Sequence, residues 1–252
     1  MKSFVASLAV VCVLLASCLP PAPEVKHDTP SPSPDPPASV AAQPSPPPID
    51  PWKVASEWPG PGGPLGDAQR FLLNVLAYQC TDEAEDLTTH QKSHGIVRVV
   101  HHEALLMETE EPRGKNGIYT NGKREFVFYQ GRYGEEPGDA AAALVEQLQS
   151  ASLQLLFDAG KGQISVLGPE KVDGVQAEKF AWDMQSGGNT SLTWNTEGGR
   201  VTVWVAKGDH RPLKTEWKGN QNDYNRSGVI HPWSGTRTYR YDPGVKVTPP
   251  GA

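Results

Sequence analysis

Four histidines have the spacing in this chain that most resembles a metal site. His90 and His94 form an HxxxH pair, and His101 and His102 follow a few residues later. Two histidines four positions apart can bind zinc when they share a helical face, and a zinc protease also carries a glutamate between them. No glutamate stands between His90 and His94. The pattern therefore favours solvated loop histidines and predicts no metal site.

Other residue patterns that could support catalysis are also incomplete. The chain has no G-x-S-x-G turn, which would present the nucleophile of a serine hydrolase. Carboxylates cluster at Glu108, Glu110 and Glu111 and again at Glu135-Glu136. Such charge clusters usually lie on exposed faces. The sequence gives no sign of enzyme activity and implies no cofactor.

Composition narrows the class of protein further. The 252 residues carry a formal net charge of -6, and charged residues make up 21% without a basic block, which argues against a nucleic-acid partner. The three cysteines, Cys12, Cys18 and Cys80, form neither a zinc motif nor a disulfide framework. Most of the 24 prolines lie in the first quarter of the chain. The roughly 190 residues that follow are enough for one domain with its own core.

The amino terminus has the features of an export signal. Lys2 is positively charged, and Phe4–Leu15 is apolar except for Ser7 but too short to span a bilayer. The stretch Leu15-Ala16-Ser17-Cys18 resembles the bacterial lipobox. That resemblance implies cleavage between Ser17 and Cys18 and a diacylglycerol on the Cys18 thiol. The alternatives are an ordinary signal peptide with a chance cysteine, or an uncleaved anchor.

Lipidation of Cys18 would fix the protein to a membrane, because several acyl chains together anchor durably where one does not. Leu19, rather than aspartate, follows the cysteine. By resemblance to the sorting rule of Gram-negative bacteria, this favours the periplasmic side of the outer membrane, provided that the host has two membranes. The predicted partner is therefore a membrane, reached through amino-terminal acyl chains such as palmitate.

A proline-rich stalk is expected between Leu19 and Gly63. Its proline, serine and alanine content favours extended polyproline II and cannot build a packed core. About 45 residues at ~3.1 Å each reach on the order of 100 Å. A ligand for a proline-recognition module is the alternative. We expect Trp52 and Trp58, at the far end of the stalk, to dock on the domain. The predicted organisation is a signal peptide over 1–17, a lipidated stalk over 18–64 and a domain over 65–252.

Two amphipathic helices are predicted in the domain. Asp67 can cap the first, which presents Ala68, Phe71, Leu72, Val75 and Leu76 on one face, with Cys80 near its end. Asp139 can open the second, whose apolar positions run from Ala143 to Phe157 and which closes near Gly160. Cys80 has no partner in the mature chain, and a buried structural thiol is favoured over a reactive one.

The remaining pattern is strand and turn. An Asn-Gly turn at Asn121-Gly122 joins two β-prone runs between Gly117 and Tyr129, which predicts a hairpin. Further strands are predicted at the segments Ile96–Val100, Ala104–Met107, Ile164–Leu167, Phe180–Met184, Leu192–Trp194, Val201–Val205, Leu213–Trp217, Thr236–Tyr241 and Val245–Thr248. Strands joined by tight turns form antiparallel sheets, and the two helices must bury their apolar faces on one side of it. The predicted fold class is α+β.

Several stretches resemble the LolA and LolB lipoprotein-sorting superfamily, and most of all its anchored LppX and LprG branch. They are Val172-Asp173-Gly174-Val175, the run Val201–Val205 with Arg211-Pro212-Leu213-Lys214 after it, and Asp242–Pro250. The resemblance covers most of Gly66 to Pro250. It implies a curved antiparallel half-barrel whose helices fill the concave side, with an apolar cavity for acyl chains between them. The long stalk and the polar segment Gln221–Trp233 depart from the family, and no functional residue is carried over.

The predicted function is binding of the acyl part of a lipid or lipoprotein in that cavity, which would also allow the protein to act as a carrier. Candidate cavity-lining residues are apolar and fall on the predicted helices and strands: Leu72, Leu76, Phe126, Phe128, Leu148, Phe180, Val201, Val203 and Leu213. The same residues would also make a solid core. The alternative function is therefore a structural or scaffolding lipoprotein of an envelope assembly, with a filled core and no ligand.

Trp204 alternates with the valines of Val201–Val205 and would lie on the convex face if those valines face the helices. It would then need cover from the stalk or a partner. We expect instead a cross-strand partnership with Trp194 or Trp217.

Overall fold

A computed structural model of the chain describes residues 49–58, 60–112, 114–129, 131–153, 156–157, 160–186, 196–222 and 230–251. The chain divides after Pro46 into two units, and every described residue belongs to the second. In this part of the chain no helix is long and apolar enough to cross a bilayer.

Each of the three main helices begins at a local signal. They are α1 (Pro51–Ser56), α2 (Pro64–Asn74) and α3 (Ala140–Ala151). Proline at the first position starts α1 and α2, where its missing N–H is not needed. The Asp139 carboxylate caps α3 by accepting bonds of 3.1 Å from the N–H groups of Ala141 and Ala142. The predicted cap at Asp139 is therefore confirmed.

Antiparallel strands make up most of the rest. They are β1 (Ala77–Asp86), β2 (Lys92–Val100), β3 (Ala104–Glu111), β4 (Gly114–Thr120), β5 (Glu125–Tyr129), β6 (Arg132–Glu135), β7 (Gly160–Val172), β8 (Val175–Ser186), β9 (Thr196–Ala206), β10 (Pro212–Asn222) and β11 (Ile230–Tyr241).

All eleven described strands belong to one open, curved sheet in the order β6-β5-β4-β3-β2-β1-β11-β10-β9-β8-β7. Except for β6 and β7, consecutive strands pair with each other, and within the described residues short turns join β1 to β2, β2 to β3, β4 to β5, β7 to β8 and β9 to β10. In the turn between β7 and β8, Asp173 and Gly174 both have positive φ, 47° and 81°, which is the geometry of the turns that suit two-residue hairpins. Helix α3 then carries the chain from one edge strand, β6, to the other, β7.

The sheet has an inner face, which packs against the helices, and an outer face. Tyr78 and Cys80 of β1 and Val201 and Val203 of β9 point inward, and each is at most 1% exposed. Together with Leu148 of α3 they belong to the main core, which lies between helices and sheet. This architecture confirms the predicted α+β class, an antiparallel sheet covered by helices on one face.

The outer face carries a second, smaller core. Tyr119 and Phe126 pair across β4 and β5 and pack with Ala104. Val247, in the tail after β11, lies against them. The segment Val245–Thr248 was predicted as a strand, but it forms none. Val247 instead packs on this cluster from a segment outside the sheet, where the flanking prolines cost no ladder hydrogen bonds.

The first predicted helix is displaced. It begins at Pro64 rather than after a cap at Asp67, and it ends at Asn74. Leu76 consequently lies beyond the helix, and Cys80 lies in the middle of β1 rather than near a helix end. The second predicted helix ends at Ala151, well before Gly160. The predicted strand Leu192–Trp194 lies outside the described residues.

Helix α1 falls within the segment predicted as stalk. Asp50 caps it through bonds of 3.0 and 3.3 Å from the N–H groups of Trp52 and Lys53. Trp52 is 8% exposed and Trp58 is half-buried against the main core. Both tryptophans therefore dock on the domain as expected, and helix α1 and the first residue of α2 precede residue 65.

Candidate functional site

The residues predicted to line a cavity are distributed over three environments. Five of them lie together between the helices and the inner face of the sheet: Leu72, Leu148, Phe180, Val201 and Val203. None of these five is more than 4% exposed. They form an apolar interface between the helix layer and β8–β9, which is where the acyl-binding prediction placed its ligand.

The other predicted residues lie elsewhere. Phe126 pairs with Tyr119, and Phe128 pairs with Tyr133, so the register puts both phenylalanines on the outer face rather than toward the helices. There Arg124 lies 4.6 Å from the centroid of the Phe126 ring, and Lys115 lies 5.8 Å from that of Phe128. Leu76 is 63% exposed in the turn after α2, and Leu213 is half-buried on β10.

An ion pair between Arg237 and Asp82 lies beneath the end of α3. The Arg237 guanidinium donates from Nε and Nη2 to the two Asp82 carboxylate oxygens, at 2.7 Å each. Its Nη1 donates to the Ser150 carbonyl oxygen at 2.8 Å. A cation at the carboxyl end of a helix is stabilised by the helix dipole and by the carbonyls that the helix leaves unpaired. Burial lowers the pKa of Arg237, but the nearby Asp82 carboxylate raises this pKa by more, so that it lies above its ordinary value.

Other buried polar groups hold the same end of α3. The Tyr78 hydroxyl donates to the Ala151 carbonyl oxygen at 3.4 Å. Gln69 of α2 accepts from the Leu153 N–H at 2.9 Å and donates to the Ser152 hydroxyl at 3.3 Å. These bonds join both long helices to the sheet at one point. Sequence reasoning missed this cluster, because nothing in the local pattern marks Gln69 as buried or Asp82 and Arg237 as partly buried.

Cys80 lies beside the ion pair and is completely buried. Burial raises the pKa of its thiol to about 12. A thiol that is protonated and shielded from solvent is a poor nucleophile. The favoured prediction of a structural rather than a reactive cysteine agrees with this environment.

The histidines do not converge. His90 Nδ1 lies 2.8 Å from a Glu85 oxygen, and His94 Nδ1 lies 2.7 Å from a Glu83 oxygen. His101 and His102 lie in the turn between β2 and β3, where their rings contact Trp52. Among the described residues, no group of three or more histidine, cysteine, aspartate or glutamate side chains could hold a metal ion.

Trp204 points away from the helices, as the alternation predicted, and is 3% exposed. Its cross-strand neighbours are Lys179 and Lys214, whose ammonium groups lie 4.7 and 5.0 Å from the centroid of its ring. The expected pairing with Trp217 is wrong, because Trp217 points inward over Gly235. Trp194 lies outside the described residues. Two lysine stems thus cover Trp204 without a partner protein.

A polar groove of about 600 Å³ crosses the outer face from β8 to β2. Its side chains include Glu83, Glu85, Asp183, Arg200 and Lys218. Asp183 and Arg200 pair at 3.2 Å, and Glu83 and Glu85 pair with His94 and His90. None of the predicted cavity residues lines it. Its mixed charges suit water and polar groups, and it is unsuited to an acyl chain.

The chain was compared with known sequences and structures. No protein-family model matches it, and no curated protein sequence matches it. Solved structures do. The lipoprotein LppX of Mycobacterium tuberculosis matches with a TM-score of 0.44 at 11% identity, covering 70% of this chain and 91% of LppX. LprF of Mycobacterium bovis matches with a TM-score of 0.46 at 10% identity, covering 79% and 98%.

A LolA superfamily protein of Nitrosomonas europaea also matches, with a TM-score of 0.27 at 16% identity, covering 70% of this chain and 90% of that protein. The solved structures that it resembles thus include members of the LolA and LppX group indicated by its sequence.

Proposed function

We propose that this protein is an exported, membrane-anchored envelope lipoprotein that binds the acyl part of a lipid or lipoprotein between its helices and the inner face of its sheet. Acyl chains on Cys18 anchor it, on the periplasmic side of the outer membrane in a Gram-negative host, and the proline-rich segment spaces the domain from the bilayer. The domain binds its ligand without catalysis or cofactor, and it could carry that ligand across the envelope.

The observation that carries this proposal is the apolar interface between helices and sheet. Leu72 and Leu148 from the helices meet Phe180, Val201 and Val203 of the sheet there, and no charged side chain belongs to this set. The three helices are short, and α1 lies against both α2 and α3. Because α1 joins the other two helices, the helix layer can move away from the sheet as a unit.

Hydrophobic transfer supplies enough free energy for such a separation. Each buried methylene contributes about 0.8 kcal/mol, so a palmitoyl-length chain gives on the order of 10 kcal/mol. Part of this free energy offsets the loss of the helix–sheet contacts that the ligand replaces. In the structure those contacts are made, so α3 must move for the ligand to bind.

The second candidate is a structural envelope lipoprotein whose core is permanently filled. The Arg237–Asp82 pair and its bond to the Ser150 carbonyl favour this candidate, because they occupy the interior and tie α3 to the sheet. Moving α3 would leave these groups in need of other partners.

Uptake of a fluorescent fatty acid distinguishes the two candidates. The full mature chain, made water-soluble by Cys18→Ala, would be delipidated and titrated with cis-parinaric acid. Native mass spectrometry of gently extracted protein would be run in parallel. We expect saturable binding and co-purified lipid. An apolar replacement that fills the interface, Leu148→Phe, should weaken binding, whereas Phe126→Leu in the outer core should not. Absence of both lipid and uptake would rule out the acyl-binding proposal in favour of the filled core.

A further inference from the structure

The helices do not cover the inner face of the sheet evenly. Val166 of β7 and Phe180 of β8 lie directly opposite each other and point to the same, inner, face. Phe180 is 4% exposed, whereas Val166 is 62% exposed. The cover provided by the helices therefore ends between these two strands, and an apolar side chain is left in contact with water.

Val166 belongs to a continuous apolar strip. Leu167, the next residue, is 49% exposed. It is the extra residue at a shift in register, since Val166 pairs with Phe180 but Gly168 already pairs with Lys179. On the other side of Val166, Ile164 is half-buried and packs against the main core. We call Ile164, Val166 and Leu167 the β7 strip.

The strip leads directly into the core. Leu156 and Phe157 are half-buried and pack against the main core, as Ile164 does. The Phe157 ring lies 5.6 Å from that of Trp182, whose indole N–H donates to the Leu156 carbonyl oxygen at 2.9 Å. Because Val166 lies opposite Phe180, and Trp182 follows on the same face of β8, an apolar chain that enters over Val166 meets apolar side chains of the inner face.

Exposure of this kind is unusual at a sheet edge. Edge strands are commonly protected by charged side chains or covered, because bare apolar edges invite association. Among the described residues, the other large apolar side chains with comparable exposure are Ile49, Leu76 and Tyr129, which are far apart in the sequence. Val166 and Leu167 are adjacent to each other and continuous with the core.

We propose that the β7 strip is the opening through which the acyl chain of the ligand passes to reach the space beneath the helices. This inference rests on the proposed acyl-binding function. The strip contributes contacts to a chain in transit rather than to the fully bound chain. It should therefore control how fast the ligand binds and leaves, and only weakly how tightly it is held.

Charge substitutions in the strip test this role. In the full mature Cys18→Ala chain, Val166→Asp and Leu167→Asp would be compared with Leu76→Asp and Tyr129→Asp, which place the same charge on exposed apolar positions elsewhere. Stopped-flow fluorescence with cis-parinaric acid would give association and release rates. Because an apolar chain cannot solvate a carboxylate that it displaces from water, both rates should fall at least about tenfold in the strip variants. The dissociation constant should stay within about twofold of the parent value, and the control variants should keep the parent rates.

The possible results separate this inference from the function on which it rests. Parent rates in both strip variants, or equal slowing in the control variants, would overturn the assignment of the opening while leaving acyl binding intact. A parent chain that takes up no probe would overturn the acyl-binding proposal and this inference with it. Urea unfolding would show that the exposed strip variants keep the fold.

Discussion

Arg237 and Asp82 face each other on β11 and β1 and are joined by two hydrogen bonds of 2.7 Å. A third bond, from Arg237 to the Ser150 carbonyl, connects this pair to α3. The two side chains are only 12% and 21% exposed. One ion pair thus holds together the two central strands and the helix that covers them.

Removing one member of this pair should be strongly destabilising. Arg237→Met leaves the Asp82 carboxylate, which is 21% exposed, without its partner, and loss of a partner by a largely buried polar group costs about 1–3 kcal/mol. The free energy of unfolding in urea measures the loss. The double variant Arg237→Met/Asp82→Leu is the control, because it removes both charges and should recover much of the stability. Equal losses in the single and double variants would contradict this account.

The buried Cys80 thiol should make the domain less stable at alkaline pH. Burial raises the pKa of this thiol from 9.0 to about 12. The unfolded chain therefore loses the proton first, so the contribution of this group is complete below pH 9 and is lost as the pH rises toward 12. Over that interval, one proton corresponds to a slope of about 1.4 kcal/mol per pH unit.

Cys80→Ala should remove this slope. Urea unfolding at pH 8, 9 and 10 would show it, since the buried tyrosines have an unperturbed pKa of 10.0 and contribute mainly above that range. Val97→Ala is the matched control, because Val97 lies opposite Cys80 on β2 and is equally buried but does not titrate. A Cys80→Ala slope equal to that of Val97→Ala would show that the thiol makes no such contribution.

Helix α1 should be an integral part of the domain. Trp52 is 8% exposed and contacts both His101 and His102. Truncating a buried tryptophan to alanine costs about 3–5 kcal/mol, so Trp52→Ala should lower the free energy of unfolding by that amount. Lys53→Ala, on the exposed side of the same helix, should change it little. If Trp52→Ala were as stable as Lys53→Ala, the docking of α1 would not contribute to the fold.

The two lysines that flank Trp204 should stabilise it measurably. A cation over an aromatic ring contributes about 0.5–1 kcal/mol when partly exposed. A double-mutant cycle with Trp204→Leu and Lys179→Met should give a coupling of that size. The exposed Lys207 lies on the turn after β9, and its cycle with Trp204 should give none. Equal coupling in the two cycles would exclude a specific lysine–tryptophan contact.

Membrane attachment should depend on Cys18. Cys18→Ala prevents the thioether-linked diacylglycerol, so the mature protein should lose palmitate labelling and move to the soluble fraction. The domain should keep its unfolding free energy, because its core begins at α1. Cys12→Ala, inside the predicted signal peptide, is the control and should leave attachment unchanged. Mature Cys18→Ala protein that stays with membranes after a high-salt wash would contradict the anchoring proposal.

Regular alternation predicted much of the sheet, and β1 shows where such a signal fails. Its inward side chains include Asp82 and Ala84 as well as Tyr78 and Cys80. A carboxylate at an inward position breaks the apolar pattern, and only its pairing with Arg237, 155 positions later, explains it. The residues around Asp82 in the sequence do not predict a partner that is so far away along the chain.

Two further differences have equally specific causes. The segment that contains α1 was assigned to the stalk because of its proline content, although Asp50-Pro51 is a good helix start. Phe126 and Phe128 were expected to face inward because they are large and apolar. Their register with Tyr119 and Tyr133 turns them outward, where the tail residue Val247 and two cationic side chains cover them. The cover comes from distant segments, which a strand's own sequence does not reveal.

The order of the strands in the sheet limits when the sheet can finish folding. The first and last strands are neighbours at the centre, and within the described residues the β1–β11 ladder is the only one that joins β6–β1 to β10–β7. Contacts between such distant segments form slowly. During synthesis or export, β1 therefore keeps one unpaired edge until β11 has emerged and can pair with it. A chain that stops before Ile230 would be two half-sheets with an unpaired edge each, exposed to proteases and to aggregation.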